Sequence, residues 1–295
     1  MEEARRKAMQ LKCWRESVEP VPLKGGITNT NFLVEHEGER FVVRVGEDIP
    51  VHGVSRANEL AAAKAACAAG ISPEIVHAEP GALVMRYVEG RTLTPELVRQ
   101  DGVLARIVPT IQRCHRDIPR HFRGPAAMFW VFQVLRDYAM TLRERGSRMV
   151  SELPRLMGIA EQLEEAVGPI NIVFGHNDLL AANFIDDESK VWLVDWDYGG
   201  FNSPLFDLGG LASNNELTAA QEEWLLETYF DKSLTDDLRE RYAAMKCASL
   251  LRESMWSMVS EICSTLDFDY VAYTTENLSR FERAWAELQQ RYGKQ

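Results

Sequence analysis

Two short apolar runs near the N-terminus, Phe32-Leu33-Val34 and Phe41-Val42-Val43-Arg44-Val45, flank the polar triplet His36-Glu37-Gly38. Apolar runs of this length around a Gly-containing turn predict a β-hairpin, with Arg44 inside its second strand. Upstream, residues 1–17 have the polar and apolar spacing of an amphipathic helix, ended by Pro20, Pro22 and Gly25-Gly26. The alanine-rich stretch from Ser55 to Ala69 predicts a helix capped by Ser55, stopped at Gly70 and carrying Glu59 in its early turns. Ile75-Val76 and Ala82 to Met85 predict two further short strands, and the polar Glu89-Gly90-Arg91 follows them.

Beyond that point the period changes. Residues from about Thr94 to Gly168 read as helical; Met128, Phe132, Leu135, Ala139 and Leu142 recur at alternating spacings of four and three, one face of a helix. Ala248, Leu251, Met255, Met258 and Ile262 repeat that alternation. Between these blocks lies a β-rich insert: Ile172 to Phe174, a polar loop from His176 to Asn183, Phe184-Ile185, an acidic turn at Asp186 to Glu188, and Val191 to Val194. The predicted class is α+β in two lobes. Residues 1–88 form a small antiparallel sheet with a helix, and residues 89–295 form a larger, mainly helical lobe.

Composition adjusts this picture in three ways. A formal charge of −11 over 295 residues argues against nucleic acid and against anionic membrane surfaces as partners. Five cysteines, Cys13, Cys67, Cys114, Cys247 and Cys263, are too widely spaced for a disulfide framework or a zinc site. No stretch approaches the ~18 uninterrupted apolar residues of a membrane span, and the N-terminus lacks the apolar core of a signal peptide, so a cytoplasmic protein is expected.

The candidate chemistry sits in the insert. His176-Asn177-Asp178-Leu179-Leu180-Ala181-Ala182-Asn183, then one apolar strand, then Asp195-Trp196-Asp197 provides carboxylates and an amide at the spacing phosphoryl transfer from ATP requires. Asp178 would accept the proton of the attacking hydroxyl, while Asn183 and Asp195 would meet as hard oxygen ligands for Mg²⁺. His176 and Asp207 are expected to organise the loop rather than to react.

These residues resemble the Brenner motif of the aminoglycoside phosphotransferase and choline kinase superfamily, and most of all its choline/ethanolamine kinase branch. The likeness spans nearly the whole chain and implies a protein-kinase-like fold. It further implies ATP and Mg²⁺ as cofactors and the hydroxyl of choline or ethanolamine as the acceptor. Lys24-Gly25-Gly26-Ile27-Thr28-Asn29 is similar to the family's nucleotide loop, with Gly25, Gly26, Thr28 and Asn29 at the phosphates. Arg44 stands where that branch carries arginine and would hold phosphates while pairing with Glu59. Met85 and Tyr87 fall where backbone groups would meet adenine.

For the acceptor, the resemblance implies a cation site of Asp197, Tyr198, Trp256 and Tyr273. Glu253 replaces a second tryptophan, and a carboxylate there can accept hydrogen bonds from a primary ammonium. Gly210 and Asn214 also depart from the pattern. Two other readings stay open: the same chemistry on an aminoglycoside, thiamine or sugar, and a non-catalytic nucleotide- or amine-binding protein of this fold. A homodimer is compatible with the sequence.

Overall fold

The computed structural model describes residues 1–23 and 29–293. Five strands, β1 (Val21–Pro22), β2 (Thr30–His36), β3 (Glu39–Val45), β4 (Ile75–Glu79) and β5 (Ala82–Arg86), form an antiparallel sheet in the order β1-β2-β3-β5-β4. The β2–β3 hairpin pairs Thr30 with Val45 through His36 with Glu39. Its turn needs positive φ at both central residues, which Glu37 (53°) and Gly38 (80°) adopt.

Strand alternation splits the sheet's two faces. Phe32, Val34, Phe41 and Val43 are buried on one face against Ala8, Leu11 and Val18. Helix α1 (Glu2–Met9) covers this face. The expected helix over 1–17 is therefore shorter. Trp14 turns back to donate its indole N–H to the Ala8 carbonyl and packs 5.7 Å from Phe41, so the chain gains more by folding onto the sheet than by extending the helix.

The opposite face carries Arg44 and meets α2 (Arg56–Ala68). Ser55 accepts the amide hydrogen of Asn58 as N-cap, and Gly70 at φ 71° follows the helix. The small side chains Ala62, Ala63, Ala65 and Ala66 belong to the main hydrophobic core rather than to the sheet's own cluster. One helix thus ties the sheet to the rest of the chain.

The remainder is mostly helical: β6 (Arg91–Thr92), α3 (Pro95–Val98), α4 (Asp101–His121), α5 (Val131–Glu144) and α6 (Leu153–Val167) precede the insert. The insert comprises β7 (Val173–Gly175), β8 (Phe184–Asp186), β9 (Val191–Leu193) and β10 (Gly200–Asn202). Then follow α7 (Pro204–Asn214), α8 (Ala219–Phe230), α9 (Asp236–Cys263) and α10 (Tyr270–Tyr292). β8 and β9 form the expected hairpin, and β10 returns to pair with β7. The fold is α+β, a small antiparallel sheet with its helices followed by a mostly helical remainder.

Met128 does not share the helical face expected of it. α5 begins at Val131, and Met128, 54% exposed, bridges to Phe201 instead. The stripe on α9 is as expected, with Ala248, Leu251, Met255 and Met258 buried. Gly209 lets α7 approach α9 closely, because a Cβ there would lie 2.8 Å from the Lys246 Cα. Among the described residues all five cysteines are unpaired, and no helix is long and apolar enough to cross a membrane.

Candidate active site

The loop between β7 and β8 is held from beneath by Asp207 in the first turn of α7. Its carboxylate accepts the amide hydrogens of His176 (2.8 Å) and Asn177 (2.7 Å) and pairs with His115 Nε2 at 2.9 Å. His115 Nδ1 in turn meets the Tyr229 hydroxyl at 2.6 Å. Burial works against the Asp207 charge, but the His115 hydrogen bond and the loop amides hold its carboxyl below the ordinary range. Cys114, His115 and Asp207 lie close enough to suggest a metal cluster, yet each is already engaged by hydrogen bonds and all are buried.

Asn177 takes φ 66°, a left-handed conformation that Asn tolerates better than most residues. Its side-chain amide compensates by donating to the carbonyls of Tyr198 (2.8 Å) and Gly200 (3.1 Å) and accepting from Asn202. His176 lies under the loop, donating Nε2–H to the Val194 carbonyl at 2.9 Å with its ring 4.7 Å from Trp196. Burial keeps it neutral by lowering its pKa.

On this support the loop presents Asp178, Asn183 and Asp195 together. Asn183 Nδ2 donates to the Asp178 backbone carbonyl at 2.8 Å and faces its carboxylate at 3.5 Å. With Nδ2 so engaged, Oδ1 is the Asn183 atom left for a cation. Asp195 follows β9 at φ 70°. Carboxylate and carboxamide oxygens on one hairpin fit a hard divalent ion such as Mg²⁺. Burial, with the Glu253 and Asp195 charges, pushes the Asp178 carboxyl up to about 8, against the pull of Arg252.

Arg44 crosses from the sheet to this hairpin. It pairs with Glu59 through Nε (2.7 Å), and with Asp195 (2.5 Å) and Asp197 (2.8 Å) through Nη2. Arg56 joins Glu59 at 2.7 Å and Asp197 at 2.6 Å. Burial penalises the Arg44 charge, but three carboxylates outweigh it and keep the guanidinium protonated. Burial also raises the Glu59 carboxyl, with Arg44 pulling against it. Removing one partner from such a buried cluster costs about 3–5 kcal/mol, because the others lose compensation.

The C-terminal helices supply an aromatic wall. Trp256 donates its indole N–H to the Tyr198 hydroxyl at 3.0 Å and stacks 5.0 Å from the His52 ring. Tyr273 donates its hydroxyl to Glu253 at 2.8 Å, with its ring 6.4 Å from Trp256. Trp256, His52, Ser260 and Tyr270 line a cavity of about 1060 Å³ between the sheet end and α9. Asp178 borders a much smaller one, about 10 Å³, with Glu253 and Arg252.

The structure thus brings Arg44, Glu59, Asn183, Asp178 and Asp195 to one place, and Tyr198, Glu253, Trp256 and Tyr273 to another beside it. Asp197 lies with the first group: its carboxylate faces Arg44, Arg56 and the Asn29 amide (3.3 Å) rather than the aromatic wall. Tyr87 donates its amide hydrogen to the Arg40 carbonyl at 3.0 Å, and Met85 sits within β5 between Val42 and Ile75. Gly25, Gly26 and Thr28 lie outside the described residues. Arg56, His52, His115 and Arg252 were not singled out from the sequence. Arg252 carried a signal, since Ala248, Arg252, Met255 and Val259 share the helical period of a buried stripe.

A two-lobed scaffold with a strand arginine, a helix glutamate and an Asp-Asn-Asp hairpin defines a phosphotransferase acting on an alcohol group. The family model for choline/ethanolamine kinase matches residues 21–246, and the chain belongs to that family. It is 28% identical over 214 residues to Protein LicA of Haemophilus influenzae, covering 71% of this chain and 62% of that protein. It is 27% identical over 296 residues to a probable ethanolamine kinase of Arabidopsis thaliana, covering 87% of this chain and 76% of the relative. The crystal structure of a choline/ethanolamine kinase family protein from Mesorhizobium loti superposes with a TM-score of 0.78 at 28% identity, covering 98% and 94% of the two chains.

Proposed function

We propose that this protein is an ATP- and Mg²⁺-dependent kinase that transfers the γ-phosphoryl group to the hydroxyl of a small amino alcohol, choline or ethanolamine. The observation that carries this reading is the convergence of Asp178, Asn183 and Asp195 on one hairpin, with Arg44 reaching Asp195 from the sheet. Residues 1–88 serve as the nucleotide lobe and residues 89–295 as the catalytic and acceptor lobe.

In this mechanism Asp178 accepts the acceptor's hydroxyl proton. Burial raises the proton affinity of this carboxyl, so its ionised form, the one that accepts the proton, is a stronger base than an ordinary carboxylate. The acceptor oxygen bonds to the γ-phosphorus as the bond to the bridging oxygen of ADP breaks, and ADP leaves. Arg44, held by Glu59, offers a planar fork to phosphate oxygens, and Asn29 borders the same space. Asn183 Oδ1 and Asp195 would hold Mg²⁺, which when bound neutralises phosphate charge. Tyr273, Glu253 and Trp256 hold the cationic end of the acceptor, and His176 and Asp207 keep the loop in shape.

An ADP-release assay across choline, ethanolamine, thiamine and an aminoglycoside panel tests this reading. Turnover with choline or ethanolamine that requires Mg²⁺ supports it. Turnover confined to the other acceptors, or none with any, sinks it.

A further inference from the structure

We propose that Arg252 is a specificity-determining residue: an internal cation that fills the aromatic seat on Tyr198 and Phe129, and thereby favours acceptors whose ammonium carries N–H donors over quaternary ones. The inference rests on the amino-alcohol kinase reading above and names the substrate class within it.

Arg252 occupies a core position of α9 and is only 4% exposed. Its guanidinium carbon lies 4.5 Å from the centroid of the Tyr198 ring and 5.5 Å from that of Phe129. Tyr198 is itself pinned, because its hydroxyl accepts the Trp256 indole N–H. Nη1 donates to Glu253 Oε2 at 2.9 Å, and the guanidinium also lies within hydrogen-bonding reach of the Tyr138 hydroxyl. A buried guanidinium paired with a single carboxylate is costly to keep, which argues for a role beyond packing. Its charge persists: burial opposes it, but the Tyr198 and Tyr138 rings' hydroxyls, Glu253 and Asp178 favour the protonated form.

Two consequences follow for a cationic acceptor. Tyr198 cannot offer its occupied face to a second cation, so one aromatic seat is lost. The single negative charge of Glu253 is also already matched by Arg252 on one oxygen, and its other oxygen accepts from the Tyr273 hydroxyl. A trimethylammonium binds through charge and aromatic faces alone, and here it meets a neutralised pair and a reduced cage. A primary ammonium can still donate to the remaining lone pairs of Glu253 and to the Tyr273 oxygen. One cation–π seat corresponds to about 2- to 30-fold in binding, which sets the size of the discrimination.

The test is the ratio of kcat/KM for ethanolamine to kcat/KM for choline, measured on one preparation so that any loss of active protein cancels. The wild type should favour ethanolamine. Arg252→Leu should shift the ratio toward choline by about tenfold as the Tyr198 and Phe129 faces open. Arg252→Gln, which removes the charge but keeps a donor for Glu253, should shift it the same way. Arg252→Lys should stay near the wild-type ratio. A wild type that favours choline, or a ratio unmoved in both neutral variants, overturns the inference while leaving the kinase reading intact. Absence of turnover with either alcohol overturns that reading, and the inference with it.

Discussion

Replacing Asp207 by Asn isolates the support of the catalytic loop from the chemistry on it. The side chain keeps its volume but exchanges one acceptor oxygen for an NH₂ group, which then faces an amide N–H. Asp207 now accepts from His176 at 2.8 Å and Asn177 at 2.7 Å, both fully desolvated. A hydrogen bond to a charged group contributes about 1.5–3 kcal/mol, and the buried amide left without an acceptor adds a desolvation cost of similar size. The variant should therefore lose about 2–4 kcal/mol, a large share of the ~5–15 kcal/mol that holds a domain together. Urea unfolding followed by tryptophan fluorescence reads this directly, since Trp196 packs on His176. Because Asp207 helps Asn177 to hold its left-handed backbone, kcat should also fall more than tenfold while KM for the alcohol changes little. A variant within 0.5 kcal/mol of wild type, by the usual scatter of surface substitutions, and with unchanged kcat would refute the assigned role.

Acid should find a weak point at His52, whose pKa burial, helped by the Arg252 charge, lowers to about 3. The unfolded imidazole binds its proton near pH 6.5 and the folded one does not, so this residue's contribution is present above about 6.5 and is lost on acidification. Between pH 7.5 and 5 the loss should be about 2 kcal/mol. His52→Phe, which keeps a ring against Trp256, should flatten that slope in urea melts at the two pH values; an identical slope in both proteins contradicts the account. Gly209→Ala should lower stability by about 1–3 kcal/mol through overpacking against the Lys246 backbone, read as a fall in Tm, and a neutral effect would show that α7 and α9 can separate.

Local patterns in the sequence were enough for the β2–β3 hairpin, the capped helix α2 and the β8–β9 hairpin, because turn chemistry and periodicity act over a few residues. The end of α1 at Met9 was not legible, since Trp14 folds back onto strands whose position no local pattern specifies. The same holds for Asp197, whose partners Arg44 and Arg56 lie more than a hundred residues away. Arg252 was legible only in part. Its core spacing carried a signal, but nothing local singled it out, and its seat on Tyr198 depends on how α9 meets the loop after β9.

The most direct test of the central claim is phosphorus-31 NMR of the protein incubated with ATP, Mg²⁺ and ethanolamine or choline. A new phosphomonoester resonance should grow with the ADP signals, and Asp178→Asn should reduce its rate at least a hundredfold, the lower range expected for loss of a general base. Inorganic phosphate as the only new product, or an Asp178→Asn variant as fast as wild type, would contradict it.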